Sequence, residues 1–415
     1  MKYTITKEKN ATVICDVAFD HQEFLKYYQP IFDEARSQVQ LKGFRPGGAP
    51  PELADKAVDK EKVFNEAVAE AVRVALREIT QEKEMQVIDQ PKIEVLESKE
   101  GLKFKATLSV FPEVTLSNYK KIAREIMEKR KKNPIVVDEK EIERSIEWVR
   151  NSRAKMTRVN REAKKGDVVD IDFSGSADGK ALDGTSGKAD HFVLGEGKFV
   201  SGFEENVIGH KEGDVVKFTV QFPKDYWKEA MREKKVDFEV KVHGVFEREL
   251  PEMNDEFVKG IGKFETVADF KKSIAEGLTK EKHAKELEKA RIEMLSEIAQ
   301  KSSMDVPEVM ATRTLESMVE EYKTYTKDTS YDEKTLRQKM QKRAEESVRE
   351  QLTLYQIAKD EKLDPLPEEV EAEANAFLAH SEFKKKPDID TKRLHDYAYG
   401  IVQQRKVFDF LESLS

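Results

Sequence analysis

Apolar residues alternate with others over Val13, Cys15, Val17 and Phe19, set against Thr12, Ile14, Asp16 and Ala18. That period of two predicts a strand with neither face fully polar. A strand over Lys2–Lys9 precedes it, with a turn near Lys9-Asn10. The period then changes. Asp20 with Glu23 three positions on reads as an N-cap and its capping-box partner, and Phe24, Tyr27, Tyr28, Ile31, Phe32 and Ala35 follow near helical spacing. A longer helix over Glu61–Lys83 gathers Val63, Phe64, Ala67, Val68, Ala71, Val74, Ala75 and Ile79 on one broad face. Strands over Lys92–Leu96 and Leu102–Phe111 close around Glu100-Gly101. Together these elements predict an α+β domain over residues 1–112.

Pro112 to Pro134 reads as a linker carrying a charge run, Glu128-Lys129-Arg130-Lys131-Lys132, which is ordinarily a solvated face. Asp138 and Glu141 form a second capping box, and Ile142, Ile146 and Val149 continue it as a helix, so residues 113–156 are a linker and a helix. The character shifts at Lys164-Lys165-Gly166-Asp167. Ten of the chain's 19 glycines lie between residues 166 and 213, where strands and turns are expected to alternate. Strands over Val168–Phe173, Val215–Phe222 and Val236–Phe246 make residues 157–246 a compact β-rich domain. From 247 to 415 the pattern is helical and highly charged, with starts at Thr266-Val267-Ala268-Asp269, after Pro307, at Tyr331-Asp332, after Pro365-Leu366-Pro367 and at Asp390. Few apolar residues per turn predict an elongated all-α domain with arms. The stripes that include Met294, Met310, Met318, Tyr322, Leu352, Tyr355, Phe377 and Phe408 are either bundle cores or accessible apolar surface.

Composition narrows the chemistry. The 415 residues suggest two to four domains, and a net charge of −8 argues against a general nucleic-acid coat. Cys15 is the one cysteine, so no internal disulfide or zinc framework is available, and a reducing compartment is expected. No window approaches the apolar length of a membrane span, and the amino terminus has no apolar leader core, which leads us to expect a cytoplasmic protein without membrane contact. The seven histidines form no metal-ligand pair on one helix, and nucleophile-elbow and phosphate-loop motifs are missing, so no cofactor or metal is expected.

Leu41-Lys42-Gly43-Phe44-Arg45-Pro46-Gly47-Gly48-Ala49-Pro50-Pro51 stands apart. Its glycines and prolines exclude helix and strand, leaving a stiffened loop. From Arg36 to Pro51 there are three cations, Arg36, Lys42 and Arg45, and no acid. Phe44 either tucks into the core of a helix connection or points outward as a docking tip.

The glycine-rich segment is also rich in aromatics. Asp172-Phe173-Ser174-Gly175, Leu182-Asp183-Gly184, Phe192-Val193-Leu194-Gly195, Val200-Ser201-Gly202-Phe203-Glu204, Phe222-Pro223-Lys224-Asp225-Tyr226 and Phe238-Glu239-Val240 stand in the order of FKBP-type peptidyl-prolyl isomerases. This resemblance implies an antiparallel sheet with a short helix, and a pocket at Phe173, Leu182, Asp183, Phe192, Val200, Phe203, Tyr226 and Phe238. Leu182 stands where an aromatic is common, and Phe203 replaces the usual tryptophan floor. An apolar pocket suits the reaction, because the planar amide is more polar than the twisted state. Asp183 and Tyr226 would orient the peptide by hydrogen bonds.

Read as a whole, the chain resembles the trigger factor family. Gly43-Phe44-Arg45-Pro46-Gly47-Gly48-Ala49-Pro50 matches that family's Gly-Phe-Arg-x-Gly-x-x-Pro signature at every fixed position. The resemblance implies a multidomain α+β protein. Its amino-terminal domain would dock on the large ribosomal subunit near the exit tunnel, on protein and rRNA, through Lys42, Gly43, Phe44, Arg45, Pro46 and Gly47. The run at Lys129–Lys132 would then have ribosomal RNA phosphates as its functional alternative. The helical domain would hold nascent and unfolded polypeptides, with Met294, Met310, Met318, Tyr322, Leu352, Tyr355, Phe377 and Phe408 as candidate contacts; a homodimer is a further expectation off the ribosome. Some family members carry lysines where Pro46 and Gly48 stand, which leaves this loop to rest on Phe44 beside Arg45. The rival readings are a stand-alone prolyl isomerase and a ribosome-independent holdase chaperone.

Overall fold

The computed structural model describes residues 1–415 except 43, 46–49, 98–100, 178, 327–331, 381–389 and 415, and within that set all side chains but those of 183, 189, 230 and 380. The chain begins β1 (Lys2–Glu8), β2 (Thr12–Asp20), α1 (His21–Gln38), α2 (Pro51–Ala57), α3 (Lys60–Glu82), β3 (Lys92–Glu97), β4 (Gly101–Ser109), β5 (Val114–Thr115) and α4 (Tyr119–Lys132). It continues α5 (Glu139–Ser152), β6 (Lys155–Arg158), β7 (Val168–Ala177), β8 (Lys180–Val193), α6 (Phe203–Val207), β9 (Val215–Gln221), β10 (Lys235–Glu249) and α7 (Asp255–Ile261). Then come α8 (Val267–Lys301), β11 (Ser303–Met304), α9 (Glu308–Thr326), α10 (Glu333–Glu361), α11 (Pro367–His380) and α12 (Thr391–Ser413). Two compact units result, Met1–Pro134 with Glu286–Ser415, and Ile135–Lys285; α8 supplies residues to both.

In the first unit, β1, β2, β4 and β3 form an antiparallel sheet in that order, with Cys15 opposite Ala106 and Val17 opposite Phe104. The alternating set Val13, Cys15, Val17 and Phe19 faces a core shared with Ala67, Ala71, Ala75 and Ile79 of α3. Alanines there let the helix lie close on the sheet, and Leu102, Phe104 and Leu108 of β4 fill the core beside them. The first capping box forms as expected: Glu23 N–H donates to Asp20 Oδ1 at 2.8 Å, and Asp20 N–H to Glu23 Oε2 at 3.0 Å.

Residues 112–134, read above as a linker, hold β5 and a capped helix. Asn118 Oδ1 accepts from Lys121 N–H at 3.2 Å to start α4. Ile122, Ala123, Ile126 and Met127 then pack against Met294 and Ile298 of α8, Ile357 of α10, and Val407, Phe408 and Leu411 of α12. This apolar face was hidden in the sequence by the charges around it. Lys129, Arg130, Lys131 and Lys132 occupy the last turn of α4, where cations suit the helix dipole, and Lys129 pairs with Glu293 at 3.0 Å. Elsewhere in this unit α9 packs on α10 around Leu315, Val319 and Ala344, and α11 on α12 around Val370, Ala374, Leu394 and Ala398.

The second unit opens with α5, whose Asp138–Glu141 capping box also forms, and whose Ile146 packs on Val258 of α7 and Phe270 of α8. Its sheet is antiparallel, in the order β6, β10, β7, β8, with β9 on β10. Gly184 and Gly187 lie inside the 14-residue strand β8, where the β7–β8 register shifts. Among the described residues no helix is long and apolar enough to cross a membrane.

The loop leading into β7 is held by an ion pair whose carboxylate is buried. Arg161 donates to both carboxylate oxygens of Asp167, at 2.6 and 3.1 Å, and the Lys164 N–H adds a bond of 2.8 Å. Burial pushes the Asp167 carboxyl up, but the guanidinium and the N–H outweigh it and hold the carboxyl below its usual range. A depressed folded-state value stabilises the fold above the ordinary carboxylate range and loses that contribution as pH falls through it. Asp167→Asn is therefore expected to weaken this domain by about 2 kcal/mol at neutral pH. The deficit should shrink below about pH 4, where aspartate also loses its charge. Hydrogen exchange of the β7 amides at both pH values checks this; equal protection in the two proteins at neutral pH would contradict it.

Candidate functional site

The aromatic cluster of the second unit grows from strand register. On β7, Phe173 stands opposite Val240 of β10 and Gly187 of β8, and Phe238 of β10 stands opposite Phe218 of β9. Two glycines make room for the rings. A Cβ on Gly187 would come within 2.4 Å of the Phe173 ring, and one on Gly175 within 2.6 Å of the Thr185 hydroxyl and 2.9 Å of the Phe238 ring. Thr185 itself is buried, its hydroxyl 2.8 Å from the Leu182 carbonyl and 3.0 Å from that of Gly175. The β7–β8 edge is thereby tied behind the cluster.

Phe203 sits at the centre. It opens α6 straight after Gly202, whose φ of 92° lies in the left-handed region that suits glycine. Ring centroids of Phe238, Phe218 and Phe173 lie 5.0, 5.3 and 5.7 Å from it, each steeply inclined. Phe199 lies 4.4 Å away and nearly parallel, at 15°. Phe192 joins through Phe199, with centroids 4.7 Å apart. Of the eight pocket positions expected from sequence, Phe173, Phe192, Phe203 and Phe238 thus share one set of rings, and Leu182 and Val200 pack half-buried on the same core. Tyr226 also borders that core, but its ring contacts are Phe222 and Trp227, at 4.8 and 5.7 Å. The side chain of Asp183 lies outside the described residues.

Phe199, Phe218 and Glu204 were not singled out as site positions from the sequence. Phe199 belongs to the aromatic-dense run of the glycine-rich segment, and Phe218 could have been suspected on the same ground. Nothing local marks Glu204, a buried carboxylate that accepts from the backbone N–H groups of Gly195 (2.7 Å), Gly197 (3.2 Å) and Phe199 (3.1 Å). It ties the loop after β8 to α6. Chemically, the cluster offers an apolar aromatic lining with polar groups only at its margin. Among the described residues no group of three or more His, Cys, Asp or Glu is placed to hold a metal ion.

In the first unit, the loop between α1 and α2 carries Phe44 43% exposed, with Lys42 and Arg45 also exposed. The Phe44 N–H donates to the Leu41 carbonyl at 3.1 Å, closing a turn just before the ring. Arg36, counted with the loop cations, is instead engaged by Asp33 at 2.9 Å and Asp55 at 3.7 Å. Among the described residues neither Lys42 nor Arg45 makes an ion pair. Gly43, Pro46 and Gly47 lie outside the described residues.

The apolar stripe residues divide. Met294, Leu352 and Phe408 are core, the first of the two readings their helical spacing allows: it turns them toward neighbouring helices. Met310, Met318, Tyr322 and Phe377 are half-buried, Met318 and Phe377 against the small α9–α10 and α11–α12 cores. Tyr355 is exposed, packed edge-on against Phe111 at 5.0 Å.

Comparison with known proteins matches three successive segments of the chain. Residues 1–149 match the family described as "Bacterial trigger factor protein (TF)", residues 159–243 "FKBP-type peptidyl-prolyl cis-trans isomerase", and residues 266–411 the trigger factor C-terminus. The trigger factor of Caldicellulosiruptor saccharolyticus is 31% identical over 387 residues, covering 90% of this chain and 87% of the relative. That of Acetivibrio thermocellus is 30% identical over 426 residues, covering 98% and 97%. A solved structure described as "Promiscuous Substrate Recognition in Folding and Assembly Activities of the Trigger Factor Chaperone" shares the fold, with a TM-score of 0.56 at 20% identity over 100% of this chain and 99% of that one. With family matches in three successive segments and near full-length relatives, the chain belongs to the trigger factor family of chaperones and carries an FKBP-type domain.

Proposed function

We propose that this chain is a cytoplasmic chaperone that docks on the large ribosomal subunit near the exit tunnel, shields nascent polypeptides and isomerises X–Pro bonds. On this reading residues 1–112 dock, 157–246 isomerise and 247–415 hold clients, joined through 113–156. The observation that carries docking is the exposed pair Phe44 and Arg45, with no acid paired to Arg45 among the described residues. An aromatic beside an arginine is the composition of an interface anchor.

The aromatic cluster supports the isomerase reading. Rotation about a prolyl amide sacrifices resonance behind a barrier of about 18–20 kcal/mol. An apolar lining disfavours the polar planar amide more than the twisted one. A differential of about 5 kcal/mol would give roughly 10³–10⁴-fold acceleration. No proton needs to move, which fits a cluster with polar groups only at its margin. Client holding falls to half-buried Met310, Met318, Tyr322 and Phe377 and exposed Tyr355, because flexible methionines beside aromatics adapt to varied sequences. The solved relative's description as promiscuous fits that surface.

Excision separates these roles. Lys155 and Glu249 pair across the β6–β10 ladder, so removing 155–249 leaves two ends already adjacent. The excised chain is expected to pellet with ribosomes as the full chain does and to keep most suppression of client aggregation, while losing prolyl isomerisation. Failure of the full chain to pellet would overturn docking. Loss of aggregation suppression on excision would move client holding away from the helical domain.

A further inference from the structure

Phe203, the proposed floor of the prolyl pocket, has no surface open to solvent. A proline ring can stack on it only if a neighbour moves. Phe173, Phe218 and Phe238 stand on strands β7, β9 and β10, held by ladder bonds, and meet Phe203 at steep angles. Phe199 differs in both respects. It is half-buried on the loop between β8 and α6, and it lies parallel to Phe203 at 4.4 Å, covering a face as a stacked prolyl ring would.

We propose that Phe199 is a gate that occupies the prolyl seat over Phe203 in the free protein and swings out to admit an X–Pro peptide, so that it sets substrate affinity. The proposal rests on the isomerase reading above. The loop backbone is set, which leaves the Phe199 ring as the part that moves. Gly195 and Gly197 take positive φ of 92° and 74°, and a Cβ on Gly197 would meet nothing within 4 Å. Glu204 pins the loop from the α6 side through the N–H groups of Gly195, Gly197 and Phe199, so the backbone is held while the Phe199 ring turns. From outside, Lys198 latches it. Its ammonium lies 2.6 Å from Asp190 Oδ1, and 5.6 and 5.7 Å from the centroids of the Phe192 and Phe199 rings.

A gate closed most of the time reduces apparent affinity by the fraction of molecules that are open. In the full-length chain, Phe199→Ala is therefore expected to lower KM for a proline-containing tetrapeptide about three- to tenfold. Lys198→Ala, which leaves the aromatic core in place, should lower KM in the same direction by about twofold. An unchanged or raised KM in both variants, with Phe203→Ala inactive, overturns the gate and leaves the isomerase reading standing. If the parent does not turn the peptide over at all, the isomerase reading falls. Fluorescence anisotropy with the same peptide, labelled, then decides the gate by binding: tighter binding to Phe199→Ala supports it, and equal or weaker binding overturns it.

Discussion

Replacing Phe203 with alanine should lower kcat/KM for prolyl isomerisation at least tenfold, a loss of about 1.4 kcal/mol or more in transition-state stabilisation. The ring is fully buried and meets Phe173, Phe199, Phe218 and Phe238, so its removal opens a cavity at the middle of the proposed pocket. Large-to-small changes at such a position cost about 3–5 kcal/mol of stability, enough to loosen this domain. Phe203→Leu separates the two effects. It keeps most of the volume at a cost of order 1 kcal/mol and removes only the flat aromatic face. Activity lost in both variants, with the β10 amides still protected from exchange in Phe203→Leu, locates the prolyl seat on that face. A folded Phe203→Ala chain with parental activity would place the seat elsewhere.

Joint replacement of Phe44 and Arg45 by alanine should remove ribosome co-sedimentation while leaving the fold intact. Both side chains are exposed, so their loss is expected to change stability by about 0.5 kcal/mol or less. Interface anchors of this kind commonly contribute about 2–4 kcal/mol each, enough to lower affinity by more than about a hundredfold. Salt adds a second readout. With Arg36 engaged by Asp33 and Asp55, Lys42 and Arg45 remain as the loop's cations. Two phosphate contacts give a log–log salt slope of about −1.4 to −1.8. A steeper slope would point to broad electrostatic attachment, with the Lys129–Lys132 run as the natural source. Unchanged pelleting of the double variant would remove the loop from docking.

What was legible in the sequence was local. The capping boxes at Asp20–Glu23 and Asp138–Glu141 formed because each cap bonds within one helical turn and needs no distant partner. Val13, Cys15, Val17 and Phe19 announced a buried face because side chains alternate along any strand. The order of aromatics and glycines from Asp172 to Phe238 pointed to the FKBP-type domain that the family comparison also finds. Other features depended on long-range packing. The apolar face of α4 lies under a charge run, and only its burial against α8, α10 and α12 distinguishes a structural helix from a linker. Met294, Leu352 and Phe408 have the helical spacing of either a core or an exposed stripe, and the neighbouring helices decide for the core.

The same boundary runs through the candidate site. By itself, the sequence determined which aromatic and glycine residues the FKBP-type domain contains, and that Phe44 and Arg45 sit where neither helix nor strand can form. Backbone chemistry and side-chain period act over a few residues, so both conclusions needed no partner from elsewhere in the chain. Only the tertiary structure decided that Phe44 is exposed and that Arg36 is engaged. It alone showed that Gly187 makes room for Phe173, that Glu204 holds a loop by three N–H groups, and that Phe199 covers Phe203. Those facts depend on rings and carboxylates meeting across strands and loops, where close packing selects one arrangement among many that the local pattern allows.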